Sequence, residues 1–180
     1  RLGELLAEAG ISGAFIQHPV DLYYYAGGRQ NASMYIPSQA AEEQRSILFV
    51  RRSLQRALFE GGGSDAPHEV VAFPRSAELV DTLRKRGVDT APGLQYGEIP
   101  ATFAQRFAKI FVELGTCPDV TGIIHGQREV KSAWEIEQMD AAADVQLRMF
   151  EAVEAVGGEG ITELELVAAA EAVSRSEGFG

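Results

Sequence analysis

The sequence predicts an α/β domain, a mixed β-sheet flanked by helices, followed by an αα-hairpin. Three observations carry this. From Arg1 to about Gln127, short apolar runs bounded by Gly or Pro alternate with amphipathic stretches, the pattern of a sheet covered by helices. Beyond that point only helical periodicity remains. Two Ser/Thr-x-x-Glu capping boxes, Ser132 with Glu135 and Thr162 with Glu165, open the two helices of the tail. The chain therefore divides into 1–127 and 128–180.

Gly3–Ala9 sets Leu2, Leu5 and Leu6 against Glu4 and Glu8 and is closed by Gly10, a short amphipathic helix. Ala14-Phe15-Ile16 is a buried strand between Gly13 and His18-Pro19. Pro19–Gly28 starts on Pro and ends on paired glycines, which suits a helical turn or two. Its consecutive Tyr23, Tyr24 and Tyr25 cannot all face one way, so at least one is expected at the surface. Arg29–Ser33 reads as a polar loop. Met34-Tyr35-Ile36 and Ser46–Val50 read as a strand pair joined by the polar stretch Pro37–Arg45. Arg51–Glu60 fits either a helical turn or an edge strand. Gly61–Asp65 is a loop without the Lys of a phosphate-binding loop.

Glu69–Phe73 is a strand ended by Pro74. Ser76 is expected to cap a helix over Ala77–Arg86, stopped by Gly87. Gly93–Ile99 and Val120–Ile124 read as further strands, giving five or six in all. Between them, Pro100–Leu114 carries Phe103, Phe107, Ile110, Phe111 and Leu114 at helical spacing, a core stripe. In the tail, Ile136, Met139, Ala143, Phe150 and Val153 form one stripe, with Gln146 at its edge. Gly157-Gly158 breaks the helix, and Leu164, Val167, Ala168 and Glu171 continue in the next. That apolar face is expected to pack on the first domain, to meet a partner chain, or to stand exposed.

The 180 residues carry 16 Lys and Arg against 26 Asp and Glu, a net charge of −10. Such a surface repels phosphate backbones and anionic lipid, so no nucleic-acid role is expected. No apolar run nears the roughly 20 residues that span a bilayer, so no membrane role is expected either. Cys117 is the single cysteine; it precludes an internal disulfide and fits a reducing, cytoplasmic setting. A chain that begins at Arg1 and stops within a helical pattern at Gly180 is expected to be a piece of something longer.

Arg128, Lys131, Ser132, Glu135 and Ile136, followed by Ala141-Ala142-Ala143, form an Arg-x-x-Lys-Ser-x-x-Glu-Ile segment. It resembles the junction of the creatinase/prolidase/aminopeptidase P family, where an N-terminal domain leads into a "pitta-bread" catalytic domain. Gly160–Gly180 is similar to that family's Gly-x-Thr-Glu-x-Glu-Leu helix. Pro19–Gly28 resembles its Pro-x-Asn-x-x-Tyr-x-x-Gly segment, with Asp21 where Asn is usual. The resemblance implies a ribonuclease-H-like mixed sheet followed by the start of a truncated pitta-bread domain. It implies a parent that is a Xaa-Pro aminopeptidase or dipeptidase, a homodimer acting on peptides with Pro. Two divalent metal ions (Mn, Co or Zn) would be held there by two Asp, one His and two Glu beyond Gly180.

By the same resemblance, the loop after the Tyr-x-x-Gly turn approaches an active site, often the partner subunit's. Tyr25, Arg29 and Asn31 are its candidate substrate-binding residues, Arg being suited to bidentate carboxylate binding. Within the chain itself no catalytic residue, metal ligand or cofactor is expected. His18, His68 and His125 are far apart in sequence, and no zinc spacing or nucleophile elbow occurs. The remaining readings are a metal-free, creatinase-like amidinohydrolase with a His base, and a non-catalytic binding relative.

Overall fold

The computed structural model describes residues 1–28, 30–38, 45–61 and 66–179. They form two compact units, Arg1–Glu129 and Val130–Gly180.

The first unit opens with helix α1 (Leu2–Glu8), which buries Leu2 and Leu6. Gly10 leaves it with φ +69°, a left-handed conformation that favours glycine. Strand β1 (Gly13–Ile16) is buried along its whole length. Helix α2 (Pro19–Ala26) starts with Pro at its first position and ends at Gly27 in the left-handed conformation. Strands β2 (Ala32–Pro37), β3 (Ile47–Val50) and β4 (Glu69–Ala72) complete a mixed sheet in the order β1-β2-β3-β4. The first two pairings are antiparallel and the third is parallel. A parallel neighbour needs a crossover, and α3 (Leu54–Glu60) supplies it. That settles Arg51–Glu60 in favour of a helix.

Alternation along the strands divides the interior into two layers. Ile16, Met34, Leu48 and Val50 face a cluster with Leu6, Leu22 and Ile124. Phe15, Tyr35, Ile47 and Phe49 face the other, with Leu79, Leu83, Phe107 and Phe111. Phe15 sits at the centre of the second, 5.2 Å from the ring centroids of both Phe107 and Phe111.

Helices α4 (Leu79–Arg84) and α5 (Ala101–Ile110) cover that second face. Ser76 is not the expected cap. It opens a single 3₁₀ turn, Ser76–Glu78, and its hydroxyl accepts from Arg106 instead. Phe103 is 49% exposed rather than part of the core. The buried stripe of α5 runs through Ala104 and Phe107, which leaves Phe103 off that stripe.

Two expected strands are absent. Gly93 and Leu94 make only isolated parallel bridges, to Ala14 and Asp119. The chain then turns, with the Glu98 amide donating to the Gln95 carbonyl. A Cβ at Gly93 would collide with Val120, so glycine permits this close approach. Val120–Ile124 is not a strand; Thr121–Glu129 is helix α6. Asp119 Oδ1 accepts from both the amide and the hydroxyl of Thr121, at 2.9 and 2.6 Å, and so starts the helix. A short apolar run such as Ile123-Ile124 fits strand or helix by pattern alone.

The second unit is a helical hairpin of α7 (Ala133–Val156) and α8 (Glu163–Ser176). Both capping boxes form as the sequence requires. The two helices pack against each other, and the apolar side chains shielded from solvent are Val145, Met149, Ala152 and Val153 on α7 and Leu166, Ala169, Ala170 and Val173 on α8, residues at helical spacing. Of the expected α7 stripe, only Val153 is on the shielded side. Ile136, Met139, Phe150 and Leu164 are all half or more exposed. Helix α7 is apolar on two sides, and periodicity does not say which side the hairpin uses.

Candidate functional site

The most connected polar cluster lies at the start of α2. His18 precedes Pro19 in an extended conformation, as a residue before proline prefers. This places Asp21 in the first helical turn, where the dipole favours a carboxylate. Asp21 is nevertheless fully buried, and a buried carboxylate must be paired and hydrogen-bonded. Three donors converge on it. Gln95 Nε2 donates to Oδ2 at 2.6 Å, Arg128 Nη1 to Oδ1 at 2.7 Å, and His18 Nδ1 to Oδ2 at 3.1 Å. Gln95, also fully buried, uses its Oε1 to accept the amides of Gln17 and His18 at 2.8 and 3.1 Å. One side chain thus satisfies the carboxylate and orphan amides at the helix start.

The cluster extends to the surface. Glu98 Oε1 lies 2.6 Å from His125 Nε2, and Glu98 Oε2 lies 3.6 Å from His18 Nε2. Arg128 also stands over the Tyr24 ring, 5.7 Å from its centroid, within cation–π range. So α2, the turn after Leu94 and α6 are tied together at one point. Chemically this is a brace: it holds charge in place and presents no activated nucleophile. Among the described residues, no group of three or more His, Cys, Asp or Glu is placed to hold a metal ion. The residues present therefore do not fit a dinuclear metal centre.

The sequence-predicted site residues fall as follows. Tyr25 is half-buried and donates its hydroxyl to Gln127 Oε1 at 2.8 Å. Burial, and then the nearby Asp21 charge, push its pKa well above the usual range. Tyr23 is the exposed member of the three tyrosines. Asn31 is exposed, and its carbonyl accepts the Arg51 amide. Arg29 lies outside the described residues. The brace residues Gln95, Glu98, His18 and His125 were not singled out from sequence. The available signal was Asp21 inside an otherwise apolar turn; its partner Arg128 is 107 residues away.

The profile of the Creatinase/Prolidase N-terminal domain matches residues 1–130, and the chain belongs to that family. Among solved structures, it is similar to an X-Pro aminopeptidase from Thermotoga maritima MSB8, at 21% identity and a TM-score of 0.80. That likeness covers 99% of this chain and 49% of the other. The prolidase from Pyrococcus horikoshii OT3 gives 19% and 0.75, over 98% of this chain and 48% of that one. The dipeptidase PepE from Mycobacterium ulcerans gives 22% and 0.73, over 98% and 48%. At these identities the likeness establishes the fold. The chain spans about half the length of the solved proteins it matches. No curated protein matches.

Proposed function

We propose that this chain is the N-terminal, substrate-pocket and dimer-forming part of a proline-directed metallopeptidase, an Xaa-Pro aminopeptidase or dipeptidase. The observation that carries the reading is the pairing of a Creatinase/Prolidase N-terminal match over residues 1–130 with an X-Pro aminopeptidase fold that covers 99% of the chain. In this reading the second domain begins at Arg128, and the hairpin is its first part. The metal-bearing residues belong to a longer cytoplasmic parent that binds two divalent ions, Mn, Co or Zn. Tyr25 near the end of α2, with Arg29 and Asn31 of the loop that follows, faces a peptide terminus in the partner subunit of a homodimer; the exposed side chain of Asn31 supports that placement. No helix among the described residues is long and apolar enough to cross a membrane.

The brace gives this reading a physical content. Asp21 and Arg128 are the two positions at which the motifs of α2 and of the junction meet. They fix α2, and hence the loop that follows it, to the helix that ends at the domain boundary. The test is hydrolysis of Xaa-Pro peptides by the longer protein encoded with this chain, with Mn, Co or Zn supplied. Release of the residue before Pro, abolished by a chelator, is the expected result. Peptides left intact under all three metals would overturn the reading, and turnover of an amidino substrate instead would favour a creatinase-like enzyme.

A further inference from the structure

Strands β3 and β4 run parallel, but the segments that leave them part. Helix α3, after β3, packs Ala57 into the first apolar cluster. Helix α4, after β4, packs Leu79 and Leu83 into the second, on the opposite face of the sheet. Neighbouring parallel strands whose connections leave to opposite faces open a crevice beyond their carboxyl ends, where α/β sheets hold ligands.

Arginines edge this point. Arg51 directly follows β3, and its guanidinium lies 3.7 Å from the centroid of the Phe73 ring, just past β4. That ring is itself packed edge-on against Phe49, at 5.9 Å. Three residues beyond Phe73, Ser76 Oγ accepts from Arg106 Nη2 at 2.9 Å. Arg51 and Arg106 thus both reach the short segment Phe73–Ser76, and both are exposed. Partial burial, and then the positive charge of Arg106, hold the Arg51 pKa below the usual guanidinium value. Among the described residues, no carboxylate pairs with Arg51 or Arg106. Arg75, between them in the segment, reaches only Glu78, at 4.0 Å. On a chain of net charge −10, two neighbouring cations are left without an acid, and an anion between them would remove their repulsion.

We propose that Arg51, Arg106 and Ser76, at the carboxyl ends of β3 and β4, form a binding site for a phosphate dianion, free or carried on a small ester. Each guanidinium presents a planar fork matched to phosphate oxygens. Ser76 Oγ accepts from Arg106 and keeps its own proton to donate. A dianion balances both cations, whereas a single carboxylate balances one. The site is separate from the Asp21 brace, and its failure would leave the Xaa-Pro reading standing.

The test is a titration of the 180-residue chain with inorganic phosphate at about pH 8, where phosphate is dianionic. Phenyl phosphate and acetate are run in parallel, and the carbon NMR shifts of the arginine Cζ atoms are followed. Saturable shifts at Arg51 and Arg106 with phosphate, and binding of acetate weaker by about tenfold or more, are the expected result. Tighter binding of phenyl phosphate than of phosphate identifies an ester as the ligand, and equal binding identifies the free ion. Arg51→Gln and Arg106→Gln should each weaken phosphate binding about tenfold. Arg84→Gln, whose guanidinium pairs with Glu113 at 3.3 Å, should leave it unchanged. No saturable shift with either phosphate overturns the proposal, and so do shifts confined to other arginines. Equal response to acetate overturns the dianion class, and undiminished binding in both Gln variants overturns the location. Should a variant fail to fold, the identity of the shifting arginines in the wild-type chain decides.

Discussion

Phe15 and Phe150 are chemically the same side chain in two different situations. Phe15 is fully buried among Phe49, Phe107 and Phe111. Phe150 is 65% exposed on α7. The contrast holds for whole units. The first closes two apolar layers around a four-stranded sheet. In the second, Val145 is the only buried hydrophobic among the described residues, while Trp134, Ile136, Met139, Leu147 and Phe150 on one helix all stand open. Ile136, Met139, Leu147 and Phe150 fall within one side of the helix at helical spacing, an apolar side that no other part of the described chain covers. Fold and cover are therefore separable here: sequence-local devices build the hairpin, whereas the first unit is held by contacts between distant segments.

Core truncation sharpens that contrast most. Phe15→Ala should cost the first unit about 4 kcal/mol by urea unfolding, while Phe150→Ala should change stability by under about 0.5 kcal/mol. An equal loss from both would erase the distinction. The ion pairs come next. Arg128→Ala strands the buried Asp21 carboxylate and should cost about 3 kcal/mol. Arg148→Ala removes an exposed pair with Glu177 at 2.9 Å and should cost under about 1 kcal/mol.

Each cap is a smaller lever. Ser132→Ala and Thr162→Ala should each lower helicity of the second unit, by about 1 kcal/mol per site, and leave the near-ultraviolet signal of the first unit unchanged. Far-ultraviolet and near-ultraviolet dichroism on the same samples check this.

Titration gives the smallest effects, and two groups of the first unit illustrate them. The hydrogen bond from Arg86 lowers the Glu69 pKa below the usual carboxylate value. Its stabilisation is thus present above the unfolded pKa and is lost as pH falls through the folded one, so Glu69→Gln should flatten the acid limb of the stability curve. Burial pushes the Cys117 thiol up to about 11. Between pH 9 and 11 the unfolded thiol ionises and the folded one does not, so stability falls there. Cys117→Ala should remove that part of the alkaline decline, and the native thiol should label slowly at pH 8.

What was legible in the sequence was local. The capping boxes at Ser132 and Thr162 were readable because both partners lie within one turn. Phe15, Ile16 and Phe49 were readable as core from short apolar runs between Gly and Pro. The edge of the sheet was not, because whether Leu94 or Val120 continues a strand depends on the approach of Val120 to Gly93 and on Asp119 starting α6. The buried face of α7 was unreadable for a related reason: Val145 and Met139 lie on apolar sides that only the partner helix distinguishes. The Asp21 brace joins residues 18, 21, 95, 98, 125 and 128 across three elements. Its only local signal is Asp21 inside an otherwise apolar turn, because its partner Arg128 is 107 residues away.

The first unit is a finished fold and the helical pair is not. Native-state hydrogen exchange on the 180-residue chain tests it most directly. Amides of β1, β2 and β3 should exchange only through global opening, while those of α7 and α8 should exchange through local opening at far lower free energy. Equal protection in the two units would contradict the claim and show the hairpin to be a self-sufficient fold.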